Sequence, residues 1–334
     1  MTAQGFRWRD GERTIRFGRG VAREAVEELG GPGYLLLTTP RAAGPLAPVV
    51  DAAAGVHHVP GGTVPELAAG ALAWARGAGN DGRVVALGGG RVVDVAKAVA
   101  AALGGGTRAM AIPTTLSGAE MTRGHRHAAG VDEATPRVRC AVVVCDPVLA
   151  ASQPEPELAA SALNALGHAV EGPCTVHAHP VATLAAHDAA RRLVGAFGGG
   201  EPDRDELALG ALLGGYTIDS TGYGLHHVLA QTLVRHGLAG HGQANAIMLP
   251  HTIPALARRA PEEHAALTAA LGEDPAAAAA RLRALTGAAR LRDLGAREED
   301  LDAAADTAAA RPQLADTPPR AGRDEVRALY QAAW

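Results

Sequence analysis

Cysteine is scarce in this sequence. Cys140, Cys145 and Cys174 are an odd set without C-x-x-C spacing. That excludes a disulfide framework and a cysteine-built zinc ribbon, and it fits a reduced, cytoplasmic protein with small buried thiols. Lysine is rare, and the net charge is −4 with both signs interspersed. No basic surface is therefore on offer to nucleic acid or to an anionic membrane. The preference for arginine reads as genomic bias, since such swaps on exposed helices cost little. No apolar run reaches the length of a membrane span. The opening MTAQGFRWRDGERT is polar, which predicts no secretory leader. What is plentiful is apolar residue, 47% of 334, against 20% charged. That is enough for a sizeable core in two domains, and it excludes global disorder.

FRWRDGERTIRF alternates around Gly11 and predicts a hairpin over residues 6–17. GRGVAREAVEELGG reads as a helix closed by glycines. YLLLTTP (34–40) is a buried strand with its loop, residues 41–54 are helical, and VHHVP (56–60) is a weaker strand. His57 and His58 there are surface or strand-end residues. VPELAAGALAWARGAG is a helix. RVVALGGG (83–90) is a strand entering a glycine loop, and RVVDVAKAVAAALGGG is the helix that follows. MAIPTT (110–115) and CAVVVCDP (140–147) are further strands. The alternation predicts a doubly wound parallel sheet. From Pro154 onward strand runs stop and Ala/Leu/Arg helices continue to Trp334. The expected division is an α/β domain over 1–150 and an all-helical domain over 151–334.

Three groups of residues could carry chemistry. Gly88, Gly89 and Gly90 lie between a strand and a helix, where free N–H groups and the helix dipole suit an anion. The spacing is not G-x-G-x-x-G, so a phosphate cradle and a plain tight turn stay equally open. The second group is a helical pair of pairs: Asn164 with His168, and His227 with Gln231. Each is four residues apart and so shares a face. His226, His236, His241 and His251 lie close by in sequence, and clustered imidazoles suggest proton transfer or metal ligation. The third is RGHRH: Arg123, His125, Arg126 and His127 are either a solvated loop or a rim that binds carboxylates.

Taken together, FGRG (17–20), LLLTTP (35–40), ALGGG with DVAK (86–97), AIPTT with SGAEMT (111–122), CDP (145–147), NALGHAVEG (164–172), GLHH (224–227) and HGQANAIMLPH (241–251) resemble the iron-containing alcohol dehydrogenase superfamily. Within it they are most similar to the maleylacetate reductase branch. The resemblance covers nearly the whole chain. It implies a nucleotide-binding α/β domain and a helical domain, a cleft between them, and a homodimer. It also implies NADH or NADPH as cofactor, with Gly88, Gly89 and Gly90 at the diphosphate. Asp94 and Lys97 would lie on the following helix, and Thr38, Pro40, Thr114 and Thr115 would border the nucleotide. The family's metal positions fall on Asn164, His168, His227 and His241.

Metal-dependent members have aspartate where this chain has Asn164. An amide removes the only anionic ligand, so no essential metal is expected; any metal would sit on His168, His227 and His241. Gln231 replaces a histidine usual in the family, and an amide is no general acid. Arg91 stands where a serine is common, and either adds a phosphate contact or blocks one. The reaction implied is reduction of maleylacetate to 3-oxoadipate in the degradation of aromatic compounds. His168, His227 and His241 would stabilise the enolate, with one protonated histidine delivering the proton to carbon. The substrate carboxylates would be held by Arg123, His125, Arg126 and His127. The alternatives are a metal-dependent alcohol dehydrogenase or aldehyde reductase, and a biosynthetic-cluster protein that keeps the fold without hydride transfer.

Overall fold

The computed structural model describes residues 5–79, 81–287 and 289–334. The chain separates into two compact units. One is Met1–Ser152 with Arg204–Leu209, and the other is Gln153–Asp203 with Gly210–Trp334.

The first unit is built on a seven-stranded sheet in the order β1-β2-β7-β6-β5-β3-β4. β1 (Phe6–Asp10) and β2 (Arg13–Phe17) form the antiparallel hairpin, with Gly11 at φ 58° in its turn. β3 (Leu35–Thr38), β4 (Gly55–His58), β5 (Arg83–Gly88), β6 (Arg108–Pro113) and β7 (Cys140–Cys145) run parallel. Every residue of β3 and β5 is buried. That is why they read as unbroken apolar runs and not as alternating ones. His57 lies on β4 with its ring 5.2 Å from that of Trp74, at the strand end expected of it.

Helices in this unit are α1 (Ala25–Glu28), α2 (Pro40–Ala43), α3 (Ala47–Asp51), α4 (Val64–Ala78), α5 (Gly90–Leu103) and α6 (Pro147–Ala150). Residues 41–54 are not one helix. Pro45 and Pro48 interrupt the backbone ladder and leave short pieces. The helix closed by glycines also shortens, to a 3-10 turn at Val21–Glu24 followed by α1. The CDP motif has a structural job: Asp146 caps α6 at the Val148 amide (3.0 Å) and takes the Ala22 amide (3.2 Å).

Lys97 is the sequence's only lysine, and it is fully buried. Its ammonium donates to the carbonyls of Ala119 (2.8 Å), Thr122 (3.0 Å) and Gly124 (2.9 Å), and pairs with Asp94 at 2.9 Å. It fastens α5 to the loop after β6. Beside it Glu120 is buried, and burial pushes its carboxyl up to about 7. The folded chain then keeps a proton that the unfolded chain releases above 4.5, so this stabilisation is lost as pH rises through 7. Glu120→Gln is expected to raise stability at pH 8 by about 1–3 kcal/mol and to change little at pH 5, as read by denaturant unfolding.

The second unit is helical: α7 (Glu155–Glu171), α8 (Pro180–Gly195), α9 (Arg204–Thr221, whose residues 204–209 belong to the first unit), α10 (Leu225–Arg235), α11 (His241–Arg259), α12 (Pro261–Leu271), α13 (Pro275–Ala284), α14 (Asp300–Ala309) and α15 (Arg323–Ala333). α7 packs on α8 and α11, and α10 on α11. Among the described residues no helix is long and apolar enough to cross a membrane.

Candidate functional site

In the first unit the chain changes direction between β3 and β5. From β3 it moves outward to β4, and from β5 it moves the other way to β6 and β7. Ligands of open α/β sheets bind at such a switch, at the carboxyl ends of the strands. Thr38 pairs with Leu87, and Gly88 with Pro113. The segments 38–40, 88–90 and 113–115 therefore meet at one edge. Gly89 is the N-cap of α5, and no acidic residue lies in that helix's first turn. The positive end of the dipole is thus left for an anion.

The three glycines are required by close packing and not by backbone angle. A Cβ would stand 2.7 Å from Val92 Cγ2 at Gly88, 2.8 Å from Thr115 Cγ2 at Gly89, and 2.7 Å from Ser117 Oγ at Gly90. The Gly90 amide is met by the Thr115 hydroxyl at 3.3 Å. Helix N-terminus, glycine turn and strand edge fit a diphosphate. Arg91 is exposed.

Four of the residues expected near the nucleotide also make contacts within the chain. Lys97 has all three protons engaged by carbonyls and Asp94, so neither member of that pair is a phosphate ligand. Thr38 is buried and gives its hydroxyl to Leu87 O at 2.8 Å, which welds β3 to β5. Pro40 starts α2, with Thr39 as its cap. Thr114 and Thr115 are half-buried at the edge.

The RGHRH residues divide. Arg123 and Arg126 are exposed. His125 gives Nδ1–H to Arg126 O at 3.1 Å and accepts the Val138 amide at Nε2 (3.3 Å). Burial lowers it to about 4. It is a structural histidine with nothing left for a carboxylate. His127 is buried, and neither ring nitrogen has a partner.

In the second unit the helical pairing predicted at 164/168 and 227/231 is present. Asn164 and His168 lie on α7 and His227 on α10, and the His168 and His227 rings stack at 4.8 Å with 20° between planes. His226 stands edge-on to His227 at 4.8 Å. His241 opens α11 and is exposed, while its charge still reaches His168, His226 and His227. His236 is on the surface, bonded to Thr307 Oγ1 at 2.9 Å, and does not join the cluster.

Glu171, one turn beyond His168, is the residue that sequence reasoning missed. Its carboxylate is fully buried and takes the amides of His226 (2.5 Å) and His227 (3.3 Å) and the His227 Nδ1–H (2.7 Å). It caps α10 and orients an imidazole at the same time. Nδ1 of His227 therefore carries the proton, and Nε2 presents a lone pair with no partner. His226 gives its Nδ1–H to Thr252 Oγ1 at 2.9 Å, since that hydroxyl is directed at the Met248 and Leu249 carbonyls.

Burial lowers His226 and His227 to about 3 and holds His168 well below its usual range, with neighbouring imidazoles adding to the effect. These three imidazoles are thus held toward the neutral form. A second missed residue is Arg311, which donates to Gln231 Oε1 at 2.8 Å. Among the described residues no three His, Cys, Asp or Glu side chains are placed to hold one metal ion. Asn164 leaves His168, His227 and His241 without an anionic co-ligand, which weakens the fit of these positions to a divalent metal.

Residues 12–147 match the family Iron-containing alcohol dehydrogenase, and residues 158–334 match the Fe-containing alcohol dehydrogenase family, C-terminal. The chain is 32% identical to a maleylacetate reductase of Rhizobium sp., over 94% of this chain and 92% of that one. It is 33% identical to a maleylacetate reductase of Pseudomonas aeruginosa, over 93% and 92%. The crystal structure of maleylacetate reductase from Rhizobium sp. superposes with a TM-score of 0.81 at 30% identity, covering 99% of this chain and 98% of that one.

Proposed function

Because the chain belongs to the iron-containing alcohol dehydrogenase family, we propose that this oxidoreductase is an NAD(P)H-dependent reductase of maleylacetate, giving 3-oxoadipate, and that it works as a homodimer without an essential metal. Residues 1–150 would hold the dinucleotide and residues 151–334 would carry the reacting imidazoles. The observation that carries the reading is the pair of stacked, buried, neutral imidazoles of His168 and His227 beside Asn164.

The edge built from Gly88, Gly89, Gly90, Thr114 and Thr115 would hold the cofactor. The reduced nicotinamide, when bound, supplies a hydride to the conjugated alkene. The protein's task is then to stabilise negative charge growing on the enone oxygen. A neutral imidazole N–H does so by hydrogen bonding without giving up its proton, and it is worth most where water is excluded. His168, with a partnerless Nδ1, is the donor we assign. His227, its tautomer fixed by Glu171, keeps an acceptor at Nε2. Asn164 adds polarity without charge. His168, His226 and His227 are held toward the neutral form, so the proton for carbon comes from His241 or from water.

Purified protein mixed with NADH and maleylacetate is expected to lose absorbance at the reduced-cofactor band, with a turnover of about 1–1,000 per second. A strong chelator is expected to leave that rate intact. No loss of absorbance with either NADH or NADPH would end the reading.

A further inference from the structure

A dicarboxylate substrate needs cations, and the helical unit holds one that no acidic residue neutralises. Arg311 lies just beyond α14 and is 7% exposed. It donates to Gln231 Oε1 (2.8 Å), Tyr223 Oη (3.1 Å) and Val228 O (3.3 Å). Its guanidinium carbon is 5.8 Å from the Tyr223 ring centre, and that ring is 6.1 Å from the ring of His227. Among the described residues no Asp or Glu pairs with it. The groups that act on its charge are Tyr223, Tyr330 and a second cation, Arg235.

A guanidinium cannot shed its proton. A buried charge without a counter-charge is costly, and an incoming anion removes that cost. Arg311 has five N–H groups, of which three are engaged. Gln231 completes the arrangement. With its oxygen tied to Arg311, the amide can offer only its NH2. An imidazole at this position would present an acceptor as well as a donor. Two residues that present only donors, one of them permanently charged, match an anion.

We propose that Arg311 and Gln231 form the receptor for one carboxylate of the substrate. The assignment to substrate and not to a cofactor phosphate follows from place: both residues belong to the unit with the imidazoles, and Gln231 is one turn from His227. The inference rests on the reductase reading for the identity of the substrate, but its test does not.

Succinate, a dicarboxylate that cannot accept the hydride, is titrated calorimetrically into the cofactor-free full chain. The wild type is expected to bind it. Arg311→Met is expected to weaken binding about 10–100-fold, the size of a charge-assisted hydrogen bond. Its thermal midpoint is expected to fall modestly, because the Gln231 and Val228 oxygens lose their donor, so the succinate affinity of the folded variant is the readout. Arg311→Lys, which keeps charge without the planar fork, should bind at an intermediate strength. Arg76→Ala, an exposed position at the end of α4 in the other unit, should bind as the wild type does.

Unchanged binding in Arg311→Met overturns the proposal, as does unchanged binding in Arg311→Lys should the methionine variant fail to fold. Inorganic phosphate bound as tightly as succinate through the same arginine would overturn the carboxylate assignment. A protein that binds succinate through Arg311 yet never oxidises NADH keeps this inference and loses the reductase reading. One that reduces maleylacetate without binding succinate does the reverse.

Discussion

Glu171→Gln is expected to lower turnover by about two to four orders of magnitude, as amide replacement does in a carboxylate–imidazole pair that fixes a tautomer. The carboxylate accepts three N–H groups, from the His226 amide, the His227 amide and His227 Nδ1. Glutamine has one oxygen to meet them. Its NH2 must face either a backbone donor or the imidazole. If it faces the imidazole, the proton of His227 moves to Nε2 and the inward lone pair disappears. Leaving one buried donor unmet costs about 1–3 kcal/mol, so a measurable drop in thermal midpoint should accompany the kinetic loss. Steady-state cofactor oxidation gives the rate, and nitrogen chemical shifts of His227 report the tautomer. Wild-type turnover in this variant would remove His227 from the chemistry.

Gly167→Ala is the second large effect. Gly167 lies on α7 between Asn164 and His168 in sequence, and faces α10. A Cβ there would stand 2.6 Å from His226 Nε2, 2.8 Å from His226 Cδ2 and 3.4 Å from His227 Cε1. These are ring atoms held by Thr252 and Glu171, not the loose end of a long side chain. The rings or the helices must move apart. Overpacking of this kind costs about 1–3 kcal/mol, and displacing both imidazoles should lower turnover at least 100-fold. Gly195→Ala on α8, where nothing lies within 4 Å, serves as the control and should leave turnover alone. Equal activity in the two variants would mean that α10 can shift without consequence.

Much of the fold was legible because it follows from patterns that survive in one dimension. The hairpin over 6–17 showed in its alternation, the buried strands in their apolar runs, and the family in the order of its motifs. The chain was misread where burial or distance decides. Residues 41–54 looked helical by alanine content, but their prolines fragment the helix. Lys97, with Asp94, was placed beside the cofactor because it lies on the helix after the glycine turn. Its enclosure by three carbonyls is visible only in the folded chain.

Within the site, Asn164 and His168 were found by helical spacing. Three residues on from His168 the helix reaches Glu171, and one residue back lies Gly167. Both were within reach of the argument already being used. Arg311 was not. It is eighty residues from Gln231, in a segment with no local signal, and only the folded chain joins the two.

The enclosure of Lys97 has a practical side. Of 31 basic residues it alone carries a primary side-chain amine. An acylating reagent finds no other lysine on this chain, and reaches this one only when the segment bearing the Ala119, Thr122 and Gly124 carbonyls lets go of α5. The rate at which that amine is labelled therefore times a local opening event. A mass shift at a single position becomes a clock for the breathing of the sheet's carboxyl edge, with no probe having to be engineered in.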